Sequence, residues 1–203
     1  MLKGLLSLAI FMGSASALAQ VGGGRTAIGG GGDPRAIKIY GIANSIWNAY
    51  HWAFSFDYLR IEALPKMAQS RIDSLMGKTG QLEVIVESRL FIREEIHAHR
   101  WTRISQAEFE EAQKLRQEPG VVVREVSAIN YPVLNMLYIS YERWKTHSDN
   151  ERIFLLFHEL VSLGNVQETP HYRYTRSFMN WLARNPGQYS YLVLQINPQY
   201  PLP

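Results

Sequence analysis

Ser148-Asp149-Asn150-Glu151-Arg152-Ile153-Phe154-Leu155-Leu156-Phe157-His158-Glu159-Leu160-Val161-Ser162-Leu163-Gly164 is the stretch from which the fold of this chain is read. The Ser148 hydroxyl and the Glu151 carboxylate, three residues apart, can satisfy each other's free backbone donors, so a helix starts there. At a period of 3.6, Ile153, Phe154, Phe157, Leu160, Val161 and Gly164 fall on one side, with His158, Glu159 and Ser162 on the other. Gly164-Asn165 ends the run. An apolar helix carrying an adjacent His-Glu pair is therefore the expected centre of the fold.

Upstream, Val121 to Val126 and Leu137 to Tyr141 are the best strands. Asn130-Tyr131-Pro132-Val133-Leu134-Asn135 connects them, which predicts neighbouring antiparallel strands. Leu82 to Glu87 alternates as another strand. Arg89 to Arg103 reads equally as strand or helix. Ser105-Gln106-Ala107-Glu108 is a second capping box, and a helix is expected from Gln106 to Gln117, before Pro119-Gly120. Ile37-Lys38-Ile39-Tyr40 is expected to be a short strand, followed over 42–76 by one or two helices divided at Pro65. Downstream, Thr169-Pro170 should cap and open a helix to about Arg184, and Tyr189 to Ile196 alternates as a last strand. The expectation is an α+β fold, a single compact domain over 37–197 with an antiparallel hairpin or sheet packed against several helices.

The ends of the chain carry different signals. Met1-Leu2-Lys3, the apolar run from Leu5 to Met12 and the closing Ala17-Leu18-Ala19 follow the order of a secretory signal peptide, residues 1–19, cut before Gln20. The apolar run falls well short of the roughly 20 residues a membrane-spanning helix needs, and no later stretch does better. The glycine runs Gly22-Gly23-Gly24 and Gly29-Gly30-Gly31-Gly32 make 20–36 a flexible leader. Pro198, Pro201 and Pro203 make 198–203 an extended tail. The expected location is periplasmic or extracellular.

With 46% hydrophobic and 19% charged residues among 203, the composition is that of a globular protein. There is no cysteine, which excludes disulfides, thiolate metal sites and a cysteine nucleophile. Stability must come from packing, and five Trp, eleven Tyr and eight Phe supply it. The net charge of +3 falls to +2 once Lys3 leaves, too mild for a nucleic-acid partner.

In a zinc-protease helix two His one turn apart face one metal, and the Glu beside the first activates a bound water. This helix bears a distant similarity to it. His158 and Glu159 are present, but Ser162, a poor zinc ligand, stands in the second His position. Glu168 occupies the third ligand's place and His171 follows closely. A zinc centre would therefore use His158, Glu168 and His171 as ligands and Glu159 as base, with Leu137 to Tyr141 as an edge strand for a peptide. The structural alternative has His158 hydrogen-bonded to a backbone or Tyr group and Glu159 paired with Arg173 or Arg176. Glu95, His97 and His99 would share one face of a strand and suit a divalent ion, a weaker candidate. Glu94-Glu95 and Glu110-Glu111 read as solvated charge.

Ala128-Ile129-Asn130-Tyr131-Pro132, Arg143-Trp144, His158-Glu159, Gly164, Glu168 and Tyr172 together resemble a signature of uncharacterised exported bacterial proteins, over about residues 121–178. The resemblance implies no activity. It does group Asn130, Tyr131, Trp144, His158, Glu159, Glu168 and Tyr172 as one polar cluster. Thr175 stands where that pattern has Ser, which keeps the hydroxyl. The leading expectation is an exported envelope protein with no cofactor, whose His-Glu helix is structural or lines a binding surface for peptide, glycan or another envelope protein. The alternative is a divergent zinc-dependent peptidase or amidase.

Overall fold

A computed structural model describes residues 33–77, 80–98, 100–114, 119–168 and 171–197. The expected signal peptide at 1–19, residues 20–32 of the expected leader, the expected Thr169-Pro170 cap and the expected tail at 198–203 lie outside the described residues. The architecture is α+β, and the chain forms two compact units. Among the described residues one unit comprises 86–129 and 138–146, and the other 33–85, 130–137 and 147–197.

The larger unit is built from helices. Asp33 accepts from the Arg35 N–H at 2.9 Å and Pro34 occupies the first turn, so α1, Pro34–Phe56, starts with its donors satisfied. Ile39, Ile42, Ala43, Ile46, Trp47, Tyr50 and Ala53 recur at helical spacing and are buried. This corrects the expected strand at 37–40. Four residues rich in β-branched side chains are outweighed by a capped start and a long helical stripe. Pro65 stands immediately before α2, Lys66–Met76, as the helix division at that proline anticipates.

α5, Asp149–Leu163, begins at the capping box: Ser148 and Glu151 each accept from the other's backbone N–H. Its residues from Leu155 to Leu163 are all buried, so the His158 side faces interior as fully as the Phe157 side. α6 spans Arg173–Arg184, opening at Tyr172 in the left-handed region, φ 49°, three residues later than the sequence implied. The last element, α7, Pro186–Ile196, replaces the expected strand at 189–196. Leu192 and Ile196, one helical turn apart, are its buried residues, and Pro186 at the first turn favours helix entry. Tyr50, Phe157, Phe178 and Trp181 join α1, α5 and α6 through ring contacts of 4.4–6.1 Å. Gly164 lets α2 approach, since a Cβ there would lie 3.0 Å from the Ile72 Cδ1 and 3.2 Å from the Ala68 Cβ.

The smaller unit holds an antiparallel sheet of order β3-β2-β4, with β2 Leu90–Glu95, β3 Arg100–Ile104 and β4 Val121–Val126. Residues 89–103, ambiguous from sequence, hold β2 and all but the last residue of β3, paired in register Phe91 with Ile104 and Glu95 with Arg100. A 3₁₀ turn, Ile96–Ala98, breaks the alternation after Glu95, so His97 leaves the strand; His99 lies outside the described residues. Glu94 is not solvated charge. It is buried and paired with Arg124 at 2.9 Å. α3, Gln106–Lys114, opens at its capping box, where the Glu108 carboxylate accepts from the Ser105 N–H at 2.7 Å.

A further sheet has the order β1-β6-β5, formed by Glu83–Glu87, Met136–Ser140 and Ala128–Tyr131. This corrects the expected pairing of β4 with β6. The expected connection overlaps a strand, β5, and continues as a 3₁₀ turn at Pro132–Leu134 closed by Asn135 in the left-handed region. β6 is consequently a central strand, with neighbours on both sides, and offers no edge to a peptide.

Candidate functional site

The larger unit brings His158, Glu159, Ser162, Glu168, Thr175 and Asn130 to its interior. His158 is 1% exposed, Glu159 and Ser162 0% and Glu168 4%. α5 sets the first three: His158 and Ser162 stand one turn apart on one face, and Glu159 is turned away by a single residue.

His158 Nδ1 lies 2.9 Å from the Glu168 Oε2. A carboxylate only accepts, so Nδ1 is the donor, and in the neutral ring Nε2 is left as an acceptor. Glu168 also accepts the Thr175 backbone N–H on Oε1 at 2.7 Å and the Thr175 hydroxyl on Oε2. Three donors therefore fix one buried carboxylate, which in turn fixes the imidazole. The ring is further held by Phe154, at 6.5 Å between centroids, and by the edge-on ring of Tyr172 at 5.0 Å. The Glu168 carbonyl accepts from the N–H groups of His171 and Tyr172 at 3.0 and 2.7 Å.

Glu159 is held separately. Its Oε2 accepts from the Asn130 amide, which corrects the expected pairing with Arg173 or Arg176. Arg173 binds Glu62 at 2.7 Å, and Arg176 is exposed; neither serves a carboxylate buried inside the unit. Burial pushes the Glu159 carboxyl above the ordinary glutamate range, against the opposing pull of His158 and of the Asn130 hydrogen bond. Among the described residues Glu159 Oε1, His158 Nε2 and Ser162 Oγ have no hydrogen-bond partner.

The raised Glu159 value sets a pH dependence. A carboxyl whose folded value exceeds its unfolded one stabilises the fold fully below the ordinary glutamate range, and that contribution is lost as pH rises through the folded value. Glu159→Gln keeps an acceptor for Asn130 and never ionises. Against the parent it should be more stable near about pH 8, with the gain shrinking towards about pH 4. Urea unfolding at both pH values measures it, and a difference independent of pH would refute the assignment.

Of the zinc set suggested by spacing, the structure brings His158 and Glu168 into direct contact and leaves His171 exposed. Among the described residues no three His, Asp or Glu side chains gather as a cation site requires. Asn130 joins the cluster through Glu159, and Tyr172 through its ring on His158. Tyr131 ends β5, and Trp144 lies in the smaller unit on α4, Tyr141–Thr146. Thr175, which supplies two of the donors on Glu168, is not evident from periodicity because it lies in a different element from Glu168. The one sequence signal for it is the hydroxyl kept at that place in the resembled pattern. Chemically, a His oriented by a buried carboxylate is the geometry of a general base, but among the described residues neither Ser162 nor any other group is hydrogen-bonded to Nε2. Comparisons with protein-family models, curated proteins and solved structures find no match to the chain.

Proposed function

We propose that this is an exported envelope protein in which the His-Glu helix is an interior brace rather than a catalytic motif. The observation that carries this reading is the coordination of Glu168. Its carboxylate binds His158 of α5 and both donors of Thr175 in α6, tying the two helices together inside the unit. Glu159 likewise accepts from Asn130 of β5, linking α5 to that strand. A buried network whose members serve one another specifies packing geometry, and His158, Glu159 and Ser162 are each exposed by 1% or less. The closed fit of β6 between β1 and β5 removes the peptide-binding edge that hydrolysis at this helix would use.

Metal analysis separates this reading from a divergent zinc peptidase or amidase. After incubation with zinc and dialysis, the purified protein should retain far less than one equivalent, and neither zinc nor a chelator should shift its thermal midpoint, because a ligand that binds only the native state must raise it. One equivalent of zinc, lost in a folded His158→Ala variant, would overturn the proposal.

A further inference from the structure

α6 places Arg173, Ser177, Asn180 and Arg184 at positions i, i+4, i+7 and i+11, on one face of the helix. That face lines a cleft of about 740 Å³, within the range typical of small-molecule sites. Arg60 and Glu62, from the connection between α1 and α2, line it as well, together with His171 and Arg176.

The charges here are unbalanced. Four guanidinium groups share the cleft with two carboxylates. Glu62 is taken by Arg173 at 2.7 Å, and both oxygens of Glu168 are taken by Thr175 and His158. Arg60 lies 3.7 Å from Asp57. Among the described residues Arg176 and Arg184 have no carboxylate partner, and Arg184 donates only to the neutral Arg60 carbonyl, at 3.2 Å. Ser177 accepts the Glu62 N–H at 2.8 Å and retains its own hydroxyl proton. Tyr174 adds an aromatic wall, with the Arg173 guanidinium 5.7 Å from its ring centre. Clustered guanidinium groups repel one another, and their planar donor forks match phosphate and carboxylate oxygens in pairs. The occupant that resolves this imbalance carries several negative charges, and the cleft volume fits a small molecule.

We propose that the α6 cleft binds a small organic polyanion, one bearing two or more phosphate or carboxylate groups. This does not depend on the role of the His-Glu helix. Inorganic pyrophosphate and citrate serve as probes, titrated calorimetrically into the full chain at low salt. Saturable one-site binding to at least one probe is expected, and binding to only one assigns the anion class. It should weaken at least about ten-fold in Arg176→Ala and further in Arg176→Ala with Arg184→Ala, and it should fall with added salt. Arg100→Ala, in the smaller unit, should leave it unchanged. Arg176 makes no side-chain ion pair among the described residues, so its removal leaves the fold intact, which circular dichroism verifies. Absence of saturable binding to both probes, or equal affinity in the folded Arg176→Ala variant, would overturn the proposal.

Discussion

Replacing Glu168 by alanine should lower the unfolding free energy by roughly 3–5 kcal/mol, the range for removing one partner of a buried charged network. The carboxylate is the common acceptor for the His158 Nδ1, the Thr175 N–H and the Thr175 hydroxyl, and all three residues are buried. Without it, three donors remain desolvated and unpaired, and each such group costs about 1–3 kcal/mol. Glu168→Gln should lose less, because the amide keeps one oxygen acceptor while its NH₂ faces a donor. Urea unfolding of both variants measures the order, with midpoints shifting at unchanged slope. A loss under about 1 kcal/mol for the alanine variant would show that the network does not brace α5 against α6.

Phe157→Ala should be comparably severe, about 3–5 kcal/mol, for a different reason. Phe157 is 0% exposed and its ring sits 4.4 Å from Phe178 and 5.3 Å from Tyr50, between centroids. Truncation removes the apolar contact and leaves a void walled by large rings that cannot collapse into it. Phe157→Leu, which fills most of that space, should retain most of the stability. Thermal and urea unfolding of the pair test this, and equal losses for Ala and Leu would mean that the cluster repacks freely around the site.

These two expectations draw on unequal amounts of sequence information. The start of α5 was legible because a capping box is local chemistry, written in Ser148 and Glu151. The association of His158 with Glu168 also emerged from spacing, although the spacing was that of metal ligands and the contact is a hydrogen bond. Thr175 completes that network across a change of element, which no periodicity records. Ile37 to Tyr40 and Tyr189 to Ile196 are helical although their short apolar runs satisfy both periods, and the surrounding helix-start residues Asp33-Pro34 and Pro186 carry the deciding information. The partners of β4 and β6 depend on which strands meet across long separations. The hairpin rule favoured adjacency, and the intervening β5 overrode it.

Arg71 reaches from α2 to the carbonyl of Leu163 at 2.7 Å and also to the Pro132 carbonyl and the Asn135 side chain. The final carbonyls of a helix carry the negative end of its dipole and have no N–H donor of their own within the helix. A permanent cation supplied by another helix answers both needs at the end of α5. Its fork of donors takes in the 3₁₀ turn after β5 at the same time. Arg71 therefore ties the last turn of α5 and that turn to α2, so that loosening α2 withdraws one donor fork from both.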